Sequence, residues 1–265
     1  MPETISRHTW EFEGIDVQYD KTGSGPALLI LHGWGSNAQI MLPLAKSLSD
    51  RYTCYVPDLP GFGRTPPPRH PWSVDDYTRL TKEFLSHIGG KADILAHSFG
   101  GRIMLKLLSS EHHCMAGRVL ITGGAGLKPK RTWRYYIRLY TAKTLKAPFQ
   151  ILPGKLRDKG LTWLRSTRAW QMLGSSDYQQ LDGVMRQTFI NVVNDHLDDR
   201  LPLINKEILL LWGEEDGAAP MDQARRMEKG IEGAALVTIE HAGHYAFLDQ
   251  PSKFSSITRA FLLGE

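Results

Sequence analysis

The chain of 265 residues reads as an α/β fold: a mostly parallel sheet with helices on both faces, interrupted by one helical insertion. Three observations predict this. Six apolar runs of strand length recur, with amphipathic stretches of helical period between them. The runs are continuously hydrophobic rather than alternating, which marks strands buried on both faces and hence a parallel sheet covered by helices. The alternation of the two patterns stops after Gly126 and resumes at Glu207.

Taken in order, two alternating segments, His8 to Glu13 and Ile15 to Tyr19, read as an antiparallel edge. The six buried runs are Ala27 to Gly33, Tyr52 to Leu59, Ala92 to Ser98, Arg118 to Gly124, Glu207 to Gly213 and Ala235 to His241. Helical periodicity covers Ile40 to Ser49, Val74 to Ile88, Phe99 to Ser110, Met221 to Gly230 and Lys253 to Leu263. The proline-rich PPPRHP, Pro66 to Pro71, reads as a surface loop. The expected division is a core of residues 1–126 and 204–265, with a helical cap at 127–203. Inside the cap, Trp133, Tyr136, Ile137 and Tyr140 recur at helical spacing opposite Arg131, Arg134 and Arg138, and further helices are expected at Leu161 to Met172 and Leu181 to Val193.

With 42% hydrophobic and 23% charged residues, the composition is that of a soluble globular protein with a sizeable core, and it excludes disorder. The first twenty residues hold no apolar signal region and no run reaches membrane-spanning length, so a soluble, cytoplasmic protein without a transmembrane segment is expected. Cys54 lies in a strand-like run and Cys114 after a helix, which gives no disulfide framework. His112, His113 and Cys114 are adjacent, whereas a zinc site needs spaced ligand pairs, so they read as a solvated helix end. Neither a metal nor a cofactor is expected. The net charge of +4 is too small to argue for nucleic acid. Its distribution is uneven: nine basic and no acidic residues lie between Leu127 and Arg157, more than the whole net charge, so the remainder is net acidic.

The chemistry-bearing residues cluster at strand ends. In AHSFGG, Ser98 follows a buried-strand pattern and precedes a helix pattern, with small Ala96 and Gly100 two places to either side. A sharp strand-to-helix turn of this kind projects a serine oxygen, and bulky neighbours would clash there. The helix N-terminus also favours developing negative charge. HGWG, His32 to Gly35, follows the first parallel strand, where a glycine-rich turn can aim the Trp34 N–H at a reacting carbonyl oxygen; the Phe99 N–H, next to Ser98, is the second candidate donor. Asp216 in WGEEDGAAP and His244 in HAGHYAFLDQP each lie just beyond a buried strand.

HGWGSNA, DLPGFGRT, AHSFGG, LLLWGEED and AGHYAFLDQP together resemble signature segments of the α/β-hydrolase superfamily, over nearly the whole chain outside the insertion. The resemblance implies the α/β-hydrolase fold and a triad in the order Ser98, Asp216, His244, with an oxyanion hole from the N–H groups of Trp34 and Phe99. It implies a serine hydrolase of carboxylic esters: His244 takes the Ser98 proton, Asp216 fixes the imidazole, and an acyl-enzyme forms and is hydrolysed. It also identifies the insertion as a cap over the site, with Trp133, Tyr136 and Tyr140 candidate pocket residues. HGWGSNA and DLPGFGRT are most similar to the esterase of biotin synthesis that cleaves a pimeloyl carrier-protein methyl ester. The elbow departs from it, since Ala96 stands where that esterase has glycine, and its substrate is not carried over.

Competing roles are weighed at each position. Glu215 is the alternative acid, while His241 reads as support for a strand end and His32 and His97 as backbone support or packing. The Trp34 and Phe99 side chains either line an acyl pocket or pack. A serine at the elbow argues against dehalogenase and epoxide-hydrolase relatives, which place aspartate there. Carbon–carbon bond hydrolase, acyltransferase and perhydrolase remain alternatives on the same triad, and a ligand receptor with little turnover is an alternative of another class. The expected partner is a small-molecule ester. The basic stretch is either a solvated face or a field that attracts an anionic substrate, a carrier protein or an anionic membrane surface.

Overall fold

The computed structural model describes residues 4–110, 113–130, 141, 144–145, 147–149, 151, 153–167, 181 and 183–264. Its centre is an eight-stranded sheet of β1 (Ser6–Phe12), β2 (Ile15–Thr22), β3 (Ala27–Leu31), β4 (Thr53–Pro57), β5 (Ala92–His97), β6 (Ala116–Thr122), β7 (Asn205–Gly213) and β8 (Glu232–Ile239). The spatial order is β1-β2-β4-β3-β5-β6-β7-β8. The β1/β2 and β2/β4 pairs are antiparallel, and every other pair is parallel. The leading hairpin is thus the expected antiparallel edge, and the six apolar runs are the six strands that follow.

Their continuous hydrophobicity has the expected cause. Successive side chains of a strand point to opposite faces, and here both faces are core. Leu28 and Ile30 of β3, Leu95 of β5, Leu120 of β6 and Leu209 and Leu211 of β7 pack on one side. That side is covered by α1 (Ala38–Leu48) and the C-terminal helix Pro251–Leu263. Leu29, Leu31, Ile94, Ala96, Val119, Ile121 and Leu210 face the other side, beneath α2 (Val74–His87) and α3 (Phe99–Leu108). Each of these leucine, isoleucine and valine side chains stabilises the fold by roughly 1.5–3 kcal/mol when fully buried.

Local chemistry sets the helix ends. Asn37 caps α1 by accepting the Ile40 N–H at 3.4 Å, and the Asp76 carboxylate returns to the Ser73 N–H at 2.8 Å in a capping box at the start of α2. β8 departs from the sequence reading. It pairs only with β7, as the last strand of the sheet, and of its residues only Ile239 is buried.

Within the insertion, α4 (Gly154–Ser166) begins earlier than the predicted Leu161 and stops at the extended Thr167. The polar GKLRDKG start carries no apolar period, so hydrophobic patterning alone does not find it. α5 (Gly183–Asn194) corresponds to the second expected helix. The predicted amphipathic helix around Trp133, Tyr136, Ile137 and Tyr140, with Arg131, Arg134 and Arg138, lies outside the described residues. The chain leaves the sheet and returns to it at one place: the Leu197 N–H donates to Gly126 O at 2.9 Å, and the Lys128 N–H to Asp198 Oδ2 at 2.8 Å. A 3₁₀ turn, Asp198–Leu203, then leads into β7.

Leu120 is fully buried in a central strand. Leu120→Ala is therefore expected to lower unfolding free energy by about 2–5 kcal/mol, read as a shifted urea midpoint with an unchanged slope.

Candidate active site

The carboxyl ends of β5, β6 and β7 and the loop after β8 converge on Ser98. The serine caps the N-terminus of α3 with φ 52° and ψ −106°, a conformation that L residues rarely adopt. Hydrogen bonds hold it from both sides: the Ser98 N–H donates to Thr122 O at 3.0 Å, and Ser98 O accepts the Ala125 N–H at 3.0 Å and the Arg102 N–H at 3.2 Å. The following helix can begin this close to β3 because position 100 is glycine. A Cβ there would lie 2.7 Å from Leu31 Cβ and 2.9 Å from Leu31 O.

Ser98 Oγ stands 3.0 Å from His244 Nε2, and His244 Nδ1 stands 2.9 Å from Asp216 Oδ2. The Asp216 carboxylate is almost wholly buried, its side chain 1% exposed, and its second oxygen accepts the N–H groups of Ala218 at 2.9 Å and Ala219 at 2.7 Å. A buried carboxylate with both oxygens engaged is fixed in orientation. Since that carboxylate accepts a hydrogen from Nδ1, the imidazole presents the lone pair of Nε2 to the serine hydroxyl. Gly123, at φ 54°, leaves room for the pair: a Cβ there would come 3.0 Å from His244 Nδ1 and 3.2 Å from Asp216 Oδ2. Glu215, the alternative acid, points elsewhere, its side chain 69% exposed and 3.7 Å from His241. His241 itself is an exposed turn residue with φ 55°.

The two other histidines serve the backbone. His32 Nδ1–H donates to Gly33 O at 2.7 Å while its Nε2 accepts the Leu59 N–H at 3.0 Å, which ties the HGWG turn to the DLPG loop. Burial lowers its pKa below the ordinary value, consistent with an acceptor Nε2. His97 Nε2–H donates to His244 O at 3.0 Å, holding the histidine loop through its backbone. Burial first, and the neighbouring His244 second, push the His97 pKa down to about 3.

DLPGFGRT has a visible purpose. Asp58 accepts the Ala38 N–H at 2.7 Å and Arg64 Nε–H at 2.7 Å, and the guanidinium then forks onto both oxygens of Asp20 at 2.9 and 3.0 Å. This locks the loop against β2 and the start of α1. The motif alone does not announce these partners, because Asp20 carries no local signal.

Trp34 and Phe99 flank Ser98 from two elements. Among the described residues no hydrogen bond occupies the N–H of either. The Trp34 ring, left undecided by the sequence, lies edge-on to Phe62 at 4.8 Å and Phe99 at 5.4 Å, and 5.2 Å from Phe189 of α5. Phe62, Phe189 and Met185, which packs against Gly61, were missed because they come from separated segments. Trp133, Tyr136 and Tyr140 fall outside the described residues.

A strained serine at a strand-to-helix turn, in line with a histidine and a buried carboxylate from later strand ends of one parallel sheet, defines the class of the molecule as α/β hydrolase. The sequence profile described as "Alpha/beta hydrolase family" matches residues 28–257, and the chain belongs to that family. Among curated relatives, the pimeloyl-[acyl-carrier protein] methyl ester esterase of Nitrosomonas europaea is 23% identical over 255 residues, spanning 91% of this chain and 97% of that one. Among solved structures, a membrane phospholipase A described as a bacterial virulence factor superposes with a TM-score of 0.75 at 23% identity, covering 98% of this chain and 86% of that one. A serine hydrolase of carbazole degradation superposes at 0.73 with 20% identity, covering 99% and 100%. Those two likenesses establish the fold.

The His97 pKa gives a pH prediction. The unfolded chain takes up this proton near the ordinary 6.5, whereas the folded one does so only near 3. Stability is therefore full above pH 6.5 and falls as the pH drops toward 3, by up to about 1.4 kcal/mol per pH unit. Urea unfolding across that range should show the slope, and His97→Asn should flatten it.

Proposed function

We propose that the protein is a serine hydrolase of carboxylic esters, with Ser98 as nucleophile, His244 as general base and acid, and Asp216 as the group that orients and charge-stabilises the imidazole. One observation carries this reading: His244 bridges Ser98 Oγ and Asp216 Oδ2 at 3.0 and 2.9 Å. The Ser98 proton passes to His244 Nε2 as Oγ attacks the ester carbonyl, and the oxyanion is received by the N–H groups of Trp34 and Phe99 at the positive end of α3. Collapse expels the alcohol with the proton from Nε2. Water, deprotonated by the same nitrogen, then releases the acid and restores Ser98. The second oxygen of Asp216 is held by two N–H groups, which keeps the carboxylate oriented toward the imidazole.

On this reading residues 127–203 cap the core, and α5 brings Phe189 against Trp34 of the HGWG turn and Met185 against Gly61 of the DLPG loop. Trp34, Phe62 and Phe189 then make an apolar wall beside the nucleophile, suited to a hydrocarbon part of the substrate. The esterase-named relative supports ester chemistry, and the pimeloyl carrier-protein ester remains a property of that relative.

Three outcomes test the proposal. A fluorophosphonate should add one adduct to the wild type and none to Ser98→Ala in intact-protein mass spectra, and Ser98→Ala should lose on the order of 10⁴-fold or more in turnover of p-nitrophenyl esters. Asp216→Asn should lose a comparable factor while its unfolding midpoint shows it folded; retained activity would move the acid elsewhere. Phe189→Ala should raise KM for longer acyl chains by roughly 10-fold, from about 1–3 kcal/mol of lost apolar contact, with little change for acetate esters.

A further inference from the structure

Exposed apolar side chains concentrate on one stretch of the insertion. Of the six large ones that stand in solvent among the described residues, three fall within thirteen positions: Ile151 at 86% exposure, Leu156 at 59% and Trp163 at 63%. Leu156 and Trp163 are seven residues apart on α4, two helical turns, and so share a stripe. Phe149 extends it, with its ring 6.3 Å from that of Trp163 and packed on Gly160. The same stretch carries the exposed Lys155, Arg157 and Lys159; Lys155 and Arg157 close the run of basic residues without an acidic one that begins after Leu127, and Asp158 follows it. Since the remainder of the chain is net acidic, these three exposed cations and the unburied apolar side chains fall in one segment of the chain.

Neither property alone specifies a partner, but their combination does. Surface of this kind is costly to leave in water, and cations around a tryptophan and two aliphatic side chains match a boundary with anions outside and hydrocarbon inside. We propose that this face of the insertion docks peripherally on an anionic lipid surface. Trp163, Leu156 and Ile151 enter the headgroup–acyl boundary while Lys155, Arg157 and Lys159 meet the anionic headgroups. No helix among the described residues is long and apolar enough to cross a membrane, so attachment is at the surface. The inference is independent of the hydrolytic reading.

The test is co-sedimentation with vesicles of phosphatidylcholine, with and without phosphatidylglycerol, at low and high salt. Ser98→Ala should bind as the wild type does, which separates docking from turnover. Binding should require phosphatidylglycerol. A Lys155→Glu, Arg157→Glu, Lys159→Glu variant should lose at least roughly 5-fold in partitioning for each cation removed, as follows from about 1 kcal/mol per basic residue. Ile151→Ser, Leu156→Ser, Trp163→Ser should abolish the part of binding that survives high salt. Tryptophan emission should shift to the blue on anionic vesicles in the wild type and not in Trp163→Phe, which keeps the measurement valid if a triple variant misfolds. Absence of vesicle binding, equal binding to neutral vesicles, binding unchanged in both triple variants, or binding of an acidic carrier protein without vesicles would each overturn the proposal.

Discussion

The turn at Ser98 is the constraint on which the rest of the site depends. A non-glycine residue at φ 52° stores roughly 1–3 kcal/mol of strain, small beside a typical total stability of about 5–15 kcal/mol but enough to relax if the neighbours allowed it. They do not. β5 lies between β3 and β6, so the residues entering the turn are fixed on both sides. The residues leaving it are fixed by Gly100 N–H donating to His32 O at 3.2 Å and by the Ser98 carbonyl accepting from Ala125 and Arg102. The price of that fixation is side-chain volume, met by glycines at 100 and 123.

Orientation of the partner groups follows the same logic of backbone restraint. His244 comes from a loop, where positional freedom would be expected, yet its carbonyl is bound by the buried His97 ring and its imidazole by Asp216. Burial keeps the His97 ring neutral through the physiological range, so this bond is made without a buried charge. Asp216 in turn is set by a short turn whose two N–H groups grip one oxygen and leave the other for the imidazole. The hydrogen-bonded line from carboxylate to serine is thus held by backbone restraints at the histidine loop and at the Asp216 turn.

What could be seen in the sequence is what local patterning encodes. Doubly buried strands such as ALLIL and ADILAH announce themselves because all but one residue in each is buried, and the small-Ser-small elbow follows from sterics at a single turn. The order Ser98, Asp216, His244 was legible through the motif resemblance, with each residue at or just beyond the end of an apolar run. The features that stayed hidden depend on partners far along the chain: Asp20 with Arg64, 44 positions apart, His32 with the Leu59 N–H, 27 apart, and the meeting of Trp34 with Phe62 and Phe189. β8 was overread because its composition is that of a central strand while its position leaves one edge unpaired. α4 was underread because its first turns are polar and a glycine interrupts them.

The helix that starts at Ser98 carries the insertion along its length. Arg102, one turn beyond Ser98, donates from its buried guanidinium to the carbonyls of Val192 and, at 2.7 Å, of Asp195. A turn further on, Lys106 is held between Asp195 at 2.6 Å and Asp75 at 2.8 Å. Buried cations are costly unless each finds partners, and removing one partner leaves the charge uncompensated. The end of α5 is therefore pinned to α3 by an interaction that cannot slip by a residue without stranding a charge. Because α5 also places Phe189 against Trp34, the aromatic cluster and Ser98 are referenced to one rigid element rather than to two bodies that merely touch. On the reading proposed above, this lets the exposed parts of the insertion vary in charge and apolarity while the geometry around Ser98 is conserved within the molecule.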